Sequence, residues 1–220
     1  MRTAPPALLA PQSIAVIGAS DDPSKTASRP LRYLREGGFA GTVYPVARRE
    51  TVLGERAYPS LAALPERPDH AFVLLPTEGA MAAVAECARH GVPVVTVLAG
   101  GFSEAGPEGV AREAALRAAL KGTETRLLGP NSIGLANLNR RMVLTANAAF
   151  AEPDLPRGGL FVASQSGSMI GALLSRGKAR GIGFAGLVSR ACKPVGGWFR
   201  SGSIPGSRGS RGRCRNWYGG

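Results

Sequence analysis

The chain has 220 residues, of which 44% are hydrophobic, enough for one well-buried core and part of a second. It carries 27 Lys and Arg against 15 Asp and Glu, and half of the resulting +12 charge lies in residues 191–220, which hold six basic residues and no acid. The rest of the chain is therefore only mildly basic, and we expect no nucleic-acid partner for it.

The cysteines and the apolar runs argue against several classes of protein. Cys87, Cys192 and Cys214 form no CxxC pair and are odd in number, so neither a disulfide framework nor a thiolate metal site is indicated, and a reducing cytoplasm fits. No apolar run approaches the roughly eighteen residues needed to cross a bilayer. The N-terminal "PALLAP" is broken by prolines and does not end in a cleavage site. We expect a cytoplasmic protein with no membrane contact.

Short β-branched runs alternate with longer segments of helical period. The runs resemble fully buried parallel strands and lie at residues 13–18, 42–46, 71–75, 92–98 and 125–129. Between them, apolar residues recur at three- and four-residue spacing, as in crossover helices, at residues 29–36, 79–90 and 107–121. This alternation predicts an α/β fold, a doubly wound parallel sheet of Rossmann type that binds ligands at the carboxyl ends of its strands.

A second α/β unit begins later in the chain. We expect a Rossmann-like domain at residues 1–140, a connection rich in Asn, Ala and Pro at 141–157, and the start of a second domain at 158–190. With only two strands and one helix, that unit leaves apolar side chains such as Leu160, Phe184 and Leu187 few partners. Residues 191–220 have the Gly, Ser and Arg composition of a disordered tail.

The turn "IGASDDPSK" lies between the first strand and the first helix, where a doubly wound domain binds a nucleotide phosphate on backbone N–H groups. Gly18 allows a sharp turn, and the small Ala19 and Ser20 allow a phosphate to approach closely. The turn is not GxGxxG, so an ordinary tight turn between strand and helix fits the pattern as well.

The second predicted strand ends "VYPVARRE", with Arg48 and Arg49 at its edge and Glu50 after them. A site for NAD usually has a carboxylate here, which bonds the ribose 2′-hydroxyl. Cations suit a ribose that carries an extra phosphate, as in NADP or coenzyme A. Two solvated arginines on a surface loop are the alternative.

The turn "LAGGFSEAG" follows the fourth predicted strand, where either a ligand or a plain glycine stop fits, and the Gly-Pro-Asn-Ser turn of "LLGPNSIG" follows the fifth. His70 opens a strand and His90 closes a helix beside Gly91, and neither has a carboxylate or nucleophile nearby in sequence. A Ser-His-Asp triad and a zinc site therefore have no support, and we assign no catalytic residue and no metal ligand.

The segment "SQSGSM" begins a helix of the second unit directly after a strand. Such an end offers unpaired N–H groups and the positive end of the helix dipole, and Ser164, Ser166 and Ser168 add hydroxyl donors beside Gly167. This combination predicts an anion site. Helix capping, for which one serine would do, is the alternative.

Taken together, these motifs resemble the coenzyme A-binding domain of NDP-forming acyl-CoA synthetases, relatives of the succinyl-CoA synthetase alpha subunit. The resemblance covers residues 8–190 and rests on separated motifs in the family's order: "IAVIGASDDPSK", "GFAGTVYPV", "YPSLAALPERPD", "VLAGGFSEAGPEG", "RLLGPNSIGLANL", "SQSGSM" and "GIGFAGLVSR".

The resemblance implies that the first domain binds coenzyme A (CoA) or its acyl thioester. The residues that it places around the cofactor are Gly18, Ala19, Ser20 and Lys25 at the phosphates, Pro45 near the adenosine end, Pro76, Thr77, Gly101, Phe102 and Glu104 along the cofactor, and Pro130, Asn131 and Ser132 by the thiol end.

In such enzymes a phosphohistidine carries phosphate from an acyl phosphate to ADP. The resemblance implies that the helix start at Ser164, Gln165, Ser166, Gly167 and Ser168 cradles this phosphoryl group, and that the second unit is the start of a flavodoxin-like domain. ADP, ATP and Mg would enter only through an ATP-grasp module, as another domain or a partner subunit.

The sequence also departs from the family's pattern. Ala47 replaces an Asn, which puts one adenosine contact in doubt, and residues 26–28 lack an expected glycine. After "VSR" nothing matches the family, and with both histidines in the first domain no residue takes the phosphohistidine role. The change at Ala191 resembles a shifted reading frame or a truncated gene copy, with an RNA-binding tail or a solvated tail as alternatives.

Three hypotheses of function follow. The first is the CoA-binding part of an NDP-forming acyl-CoA synthetase, which converts acyl-CoA, ADP and phosphate to acid, CoA and ATP, incomplete without the phosphohistidine segment. The second is a non-catalytic protein that senses CoA or an acyl-CoA. The third is an NADP-dependent oxidoreductase, disfavoured because no catalytic acid or base can be assigned.

Overall fold

The computed structural model describes residues 5–152 and 154–189 of the chain. The predicted tail at 191–220 lies outside these residues. The helices and strands are, in order, α1 (Pro6–Leu9), β1 (Ser13–Ile17), α2 (Arg29–Glu36), β2 (Thr42–Val46), β3 (Thr51–Val52), β4 (Glu55–Arg56), β5 (His70–Val73), α3 (Thr77–Arg89), β6 (Val94–Val97), α4 (Pro107–Leu120), β7 (Arg126–Leu128), β8 (Gly134–Asn137), β9 (Met142–Thr145), β10 (Arg157–Ser164), α5 (Gly167–Lys178) and β11 (Phe184–Ser189).

Five parallel strands form the first sheet, in the order β2-β1-β5-β6-β7. They coincide with the five apolar runs, so the predicted parallel sheet and its crossover helices are confirmed. The chain leaves β1 first towards β2 and then returns past it to β5. Such a reversal of strand order opens a crevice at the carboxyl ends of β1 and β5.

The two faces of the first sheet bury alternate side chains of the same strand, as the period of two in a strand requires. Ala15 and Ile17 pack with α3, α4 and Phe102 on one face, whereas Ile14 and Val16 pack with α2 on the other. Every residue of β1 is buried, because helices cover both faces.

A second sheet has the order β10-β11-β8-β9, with β10 and β11 parallel and the other pairs antiparallel. Its strand β8 comes from the segment predicted as the end of the first domain, and β9 from the predicted connection. The domain boundaries stay a prediction, but this pairing shows that residues 134–145 add two strands to the second unit. The sequence pattern did not identify these two strands, of four residues each.

The two sheets share core and hydrogen bonds. Leu135, Met142 and Leu144 of the β8–β9 hairpin pack in the same cluster as Ile14 and Val16 of the first sheet. The Arg29 Nη1 donates to the Ala146 carbonyl at 2.9 Å, and the Ser132 Oγ donates to the Ser189 carbonyl at 2.8 Å. These two hydrogen bonds therefore hold the start of α2 and the turn after β7 in place relative to the second sheet.

No helix in the described part of the chain is long and apolar enough to span a bilayer.

Candidate functional site

A cleft of about 800 Å³ lies at the carboxyl ends of β1, β2 and β5. One wall is the turn after β1, another is the segment after β2, and the third is formed by residues 79–86 of α3. The residues that line it include Gly18, Ala19, Ser20, Asp21, Asp22, Lys25, Ala47, Arg48, Arg49, Pro59, Ser60, Leu75, Gly79, Ala82, Ala83 and Glu86. The doubly wound topology predicts a ligand at this edge of the sheet.

Gly18 makes the turn from β1 into the wall of the cleft. Its φ is +82°, and a Cβ atom there would come within 2.7 Å of the Leu75 Cδ2. Its N–H donates to the Val46 carbonyl at 2.9 Å, which joins the ends of β1 and β2. Glycine is thus required both by the left-handed backbone and by the close approach of Leu75.

The loop after Gly18 is held by its own short side chains. The Asp22 carboxylate accepts hydrogen bonds from the N–H and the hydroxyl of Ser24, at 2.9 and 2.6 Å, as in an Asx turn. These bonds, the side-chain one above all, hold the pKa of the exposed Asp22 below its usual value. The Ser20 Oγ accepts from the Asp22 N–H at 3.1 Å. The loop therefore keeps its shape at neutral pH.

Three cations line the cleft. Lys25 lies 4.0 Å from the Asp22 carboxylate, and Arg49 lies 3.7 Å from the Asp21 carboxylate. Arg48 is exposed, and within residues 5–152 and 154–189 it forms no ion pair. Of the three, Arg48 is the guanidinium whose charge is not offset by a carboxylate in the described part of the chain.

The turns after β5, β6 and β7 form a second group of predicted site residues. The Thr77 Oγ1 donates to the Gly100 carbonyl at 2.9 Å, and the Gly101 N–H donates to the Glu104 carboxylate at 2.7 Å. A Cβ on Gly100 would lie 3.1 Å from the Glu104 Oε1 and 3.9 Å from the Asn131 Oδ1. The structure thus brings Thr77, Gly101, Glu104 and Asn131 together at the carboxyl edge of the sheet, and the exposed Pro76 directly precedes α3.

Four other predicted site residues have their side chains in the interior. Phe102 is fully buried in the core cluster of the first face. Pro45 is buried inside β2 opposite Val16, and Pro130 is buried in the turn after β7. Ser132 is also fully buried, where its hydroxyl donates to the Ser189 carbonyl and accepts from the Gly134 N–H. Their roles at a cofactor stay predictions, and their structural roles are packing and hydrogen bonding.

The segment "SQSGSM" begins α5 as expected from its sequence. The Ser166 Oγ caps the helix by accepting from the Met169 N–H at 3.3 Å and lies 3.0 Å from the Ser168 Oγ. The Ser164 Oγ bonds the Ser166 backbone, and Gln165 is exposed. Capping therefore occupies part of the hydroxyl set, and the anion site stays a prediction.

A cavity of about 410 Å³ joins this helix start to the first sheet's side of the molecule. Gly167 and Ser168 line it on one side, and Thr26 and Arg29, from the end of the loop after β1, line it on the other. Leu98 and Ile133, which follow β6 and β7, complete the wall. Leu98 and Ile133, from two of the turns singled out in the sequence, thus face the start of α5 across one cavity.

Several wall residues were not identified from the sequence. Asp21, Arg29 and the small residues of α3 line the two cavities. A signal for α3 was present, because Gly79, Ala82 and Ala83 recur at three- and four-residue spacing on one helical face. Nothing in the local sequence distinguishes Asp21 or Arg29 from other exposed charges, since their partners lie far along the chain.

The histidine and cysteine of the core have no place in the cleft. His70 is fully buried in β5, its Nε2 lies 2.7 Å from the Thr96 Oγ1, and burial lowers its pKa to about 3. Burial likewise raises the pKa of the Cys87 thiol to about 12. In the ranges 5–152 and 154–189, no group of three His, Cys, Asp or Glu side chains is placed to hold a metal ion.

Comparison with known proteins gives consistent results. Residues 12–137 match the family described as "CoA binding domain". The chain is 37% identical over 189 residues to acetate–CoA ligase (ADP-forming) I of Archaeoglobus fulgidus, covering 86% of this chain and 27% of that protein. It is 34% identical over 188 residues to the alpha subunit of acetate–CoA ligase (ADP-forming) I of Pyrococcus furiosus, covering 83% of this chain and 40% of that subunit.

A solved structure gives the same match in three dimensions. The apo form of the dinucleotide-forming acetyl-coenzyme A synthetase 1 of Candidatus Korarchaeum cryptofilum superposes with a TM-score of 0.77 and 30% identity, covering 85% of this chain and 40% of that one. The chain spans about a quarter of the length of the Archaeoglobus relative. With the family matched over more than half of its residues, the chain belongs to the CoA-binding domain family and is homologous to the alpha subunits of ADP-forming acetate–CoA ligases.

Proposed function

We propose that the chain binds CoA or an acyl-CoA thioester in the cleft at the carboxyl ends of β1, β2 and β5. The observation that carries this proposal is the cleft itself, which has a volume of about 800 Å³. The glycine turn after β1 lines one side of it, and the cations after β2 line another. In this proposal the diphosphate lies against the backbone of residues 18–20, where Gly18 and Ala19 add little or no side chain that could keep it away.

Arg48 is the residue that we assign to the 3′-phosphate of CoA. It lines the cleft, it is exposed, and in the described residues no carboxylate pairs with it. Arg49 and Lys25 each lie near an aspartate, so part of their charge is already offset. A phosphate that reaches Arg48 gains a charge-assisted hydrogen bond, which is worth about 1.5 to 3 kcal/mol.

The thiol end of the cofactor is proposed to point to the cavity between the turns and the start of α5. This orientation of the cofactor is supported by a group of predicted site residues at the carboxyl edge of the first sheet. The group consists of Thr77, Gly101, Glu104 and Asn131. The N-terminus of α5 then faces the reacting end of the thioester, where Ser168 and Gly167 line the cavity and a phosphoryl group would be bound.

The catalytic role is also a proposal. Relatives that are ADP-forming ligases extend well beyond the region that this chain matches. We propose that the chain provides the CoA site of such an acid–CoA ligase, and that an ATP-grasp module and a phosphorylatable histidine, on a further domain or a partner subunit, complete the reaction. A CoA-sensing protein without catalysis would bind the same ligand but would gain no activity from such a partner.

Calorimetry with CoA, dephospho-CoA and NADP tests the binding proposal. We expect CoA to bind about ten- to a hundredfold more tightly than dephospho-CoA, and Arg48→Gln to remove most of that difference. Arg89→Gln is the matched control, because Arg89 lies at the far end of α3, on the opposite edge of the sheet. Equal affinities for CoA and dephospho-CoA would contradict the role of Arg48, and tighter binding of NADP than of CoA would favour an oxidoreductase.

A further inference from the structure

The Asp21 carboxylate joins three segments around the cleft. It belongs to the loop after β1, and its Oδ1 accepts a hydrogen bond from the Leu53 N–H at 2.7 Å. Its Oδ2 lies 3.7 Å from the Arg49 guanidinium, in the segment after β2. One side chain thus connects the proposed phosphate loop, residues 18–25, with the β3–β4 hairpin and with the basic end of β2.

The hairpin gives Asp21 a rigid attachment point. Its turn has positive φ at both central residues, +51° at Leu53 and +77° at Gly54, as in a type I′ turn. The Leu53 side chain packs against the core cluster that covers the second face of the first sheet. The Arg35 Nε also donates to the Glu55 carboxylate at 2.7 Å, which ties the hairpin to α2. The packing of Leu53 and the Arg35–Glu55 bond therefore hold the Leu53 N–H in a fixed position.

The two contacts of Asp21 differ in how much they stabilise its position. Arg49 is 74% exposed, and surface ion pairs of this kind contribute little because water screens them. The bond to Leu53 has a short distance, a carboxylate acceptor and a fixed backbone donor, which are the features of a strong hydrogen bond. Of the two contacts, the Leu53 bond therefore holds Asp21 more firmly.

We propose that Asp21 is a positioning residue, which holds the phosphate loop against the β3–β4 hairpin so that the loop backbone is preorganised for the ligand's diphosphate. This inference rests on the proposed binding of CoA in the cleft. A loop fixed before binding loses less conformational freedom when the ligand arrives, so affinity rises without a new contact to the ligand.

Two variants separate the hydrogen bond from the charge. Asp21→Asn keeps an oxygen acceptor for the Leu53 N–H, whereas Asp21→Ala removes it, and both remove the same negative charge. Because Asp21 is 45% exposed, we expect both variants to fold. Glu124→Gln is the control for loss of a carboxylate, because Glu124 is 97% exposed and precedes β7 at the opposite edge of the sheet.

The first readout needs no ligand. In Asp21→Ala, we expect the Leu53 amide to exchange about tenfold faster and trypsin to cleave after Lys25 sooner than in Asp21→Asn, because the opening of the loop costs less. The asparagine variant and the Glu124→Gln control should resemble the unmodified chain. Equal exchange and equal cleavage in the alanine and asparagine variants would overturn the anchoring role.

The second readout is calorimetric affinity. Relative to Asp21→Asn, we expect Asp21→Ala to bind CoA and dephospho-CoA more weakly by the same factor, about three- to tenfold, because both ligands share the diphosphate. Unchanged affinities would overturn the proposal even if the loop loosens. If the unmodified chain binds no CoA while Leu53 exchange still differs, the proposed ligand is wrong and the loop anchor stands.

Discussion

At Gly18 the backbone has a φ of +82°, and any side chain there would meet Leu75, which lines the cleft. Gly122, which follows α4, has a similar φ of +78°, but a Cβ there would find no atom within 4 Å. The two glycines therefore separate backbone strain from steric contact. This makes them a matched pair for testing how the turn after β1 shapes the site.

We predict that Gly18→Ala and Gly122→Ala each destabilise the protein by about 1 to 2 kcal/mol, the cost of a left-handed backbone for a residue with a Cβ. Only Gly18→Ala should also weaken CoA binding, by roughly fivefold or more, because Leu75 has to move towards the ligand. Denaturant unfolding and calorimetry on both variants provide the measurement. Equal affinity of the two variants for CoA would show that the Leu75 contact has no effect on the cleft.

At the scale of elements, β10 and β11 have different surroundings in the second sheet. β11 lies between β10 and β8, and its Phe184 and Leu187 are almost completely buried. Among the described residues β10 is an edge strand, and its Leu160 is 47% exposed. The expected shortage of packing partners therefore applies to β10 and not to β11, because the β8–β9 hairpin supplies side chains that the sequence pattern assigned elsewhere.

Hydrogen exchange should reveal this difference. We predict that amides of β11 exchange at least about a hundredfold more slowly than those of β10 that face away from β11, because the former are bonded within the sheet and the latter have no neighbouring strand in the described part of the chain. Exchange followed by NMR or mass spectrometry would measure both strands in one sample. If β11 exchanges as fast as β10, the β8–β11 pairing is not stable.

At the scale of the whole molecule, the residues of the proposed site lie at the carboxyl edge of the first sheet, and both histidines lie at the other edge. His70 is the first residue of β5, and His90 directly follows α3, which begins at the carboxyl edge and ends at the amino edge. The sequence contains no other histidine. A phosphohistidine step at the start of α5 would therefore need a histidine from outside these 220 residues.

We predict that the purified chain forms no ATP from acetyl-CoA, ADP and phosphate. The reason is the position of its histidines, on the edge of the sheet opposite to the cleft. A coupled luciferase assay, with CoA binding measured on the same sample, would test this. Detectable ATP synthesis that is lost in Ser166→Ala would contradict the prediction and would place a complete active site on this chain.

The sequence by itself determined the first sheet. Strands buried on both faces are continuous apolar runs, and helices between them repeat at three and four residues, so local composition carries the information. The same holds for Gly18 and for the serine start of α5, where a backbone conformation or a helix cap requires a particular residue type.

Only the tertiary structure decided which residues share a site and which support it. Phe102 and Ser132 lie in motif turns, yet their side chains pack in the core or bond the other sheet. In the sequence, nothing distinguishes Asp21 from other exposed acidic residues, because its hydrogen-bond partner Leu53 is 32 residues away. The four-residue strand β9 gains its stability from pairing with β8 and not from its own period. Contacts between distant segments depend on how the whole chain folds, and local sequence patterns do not predict them.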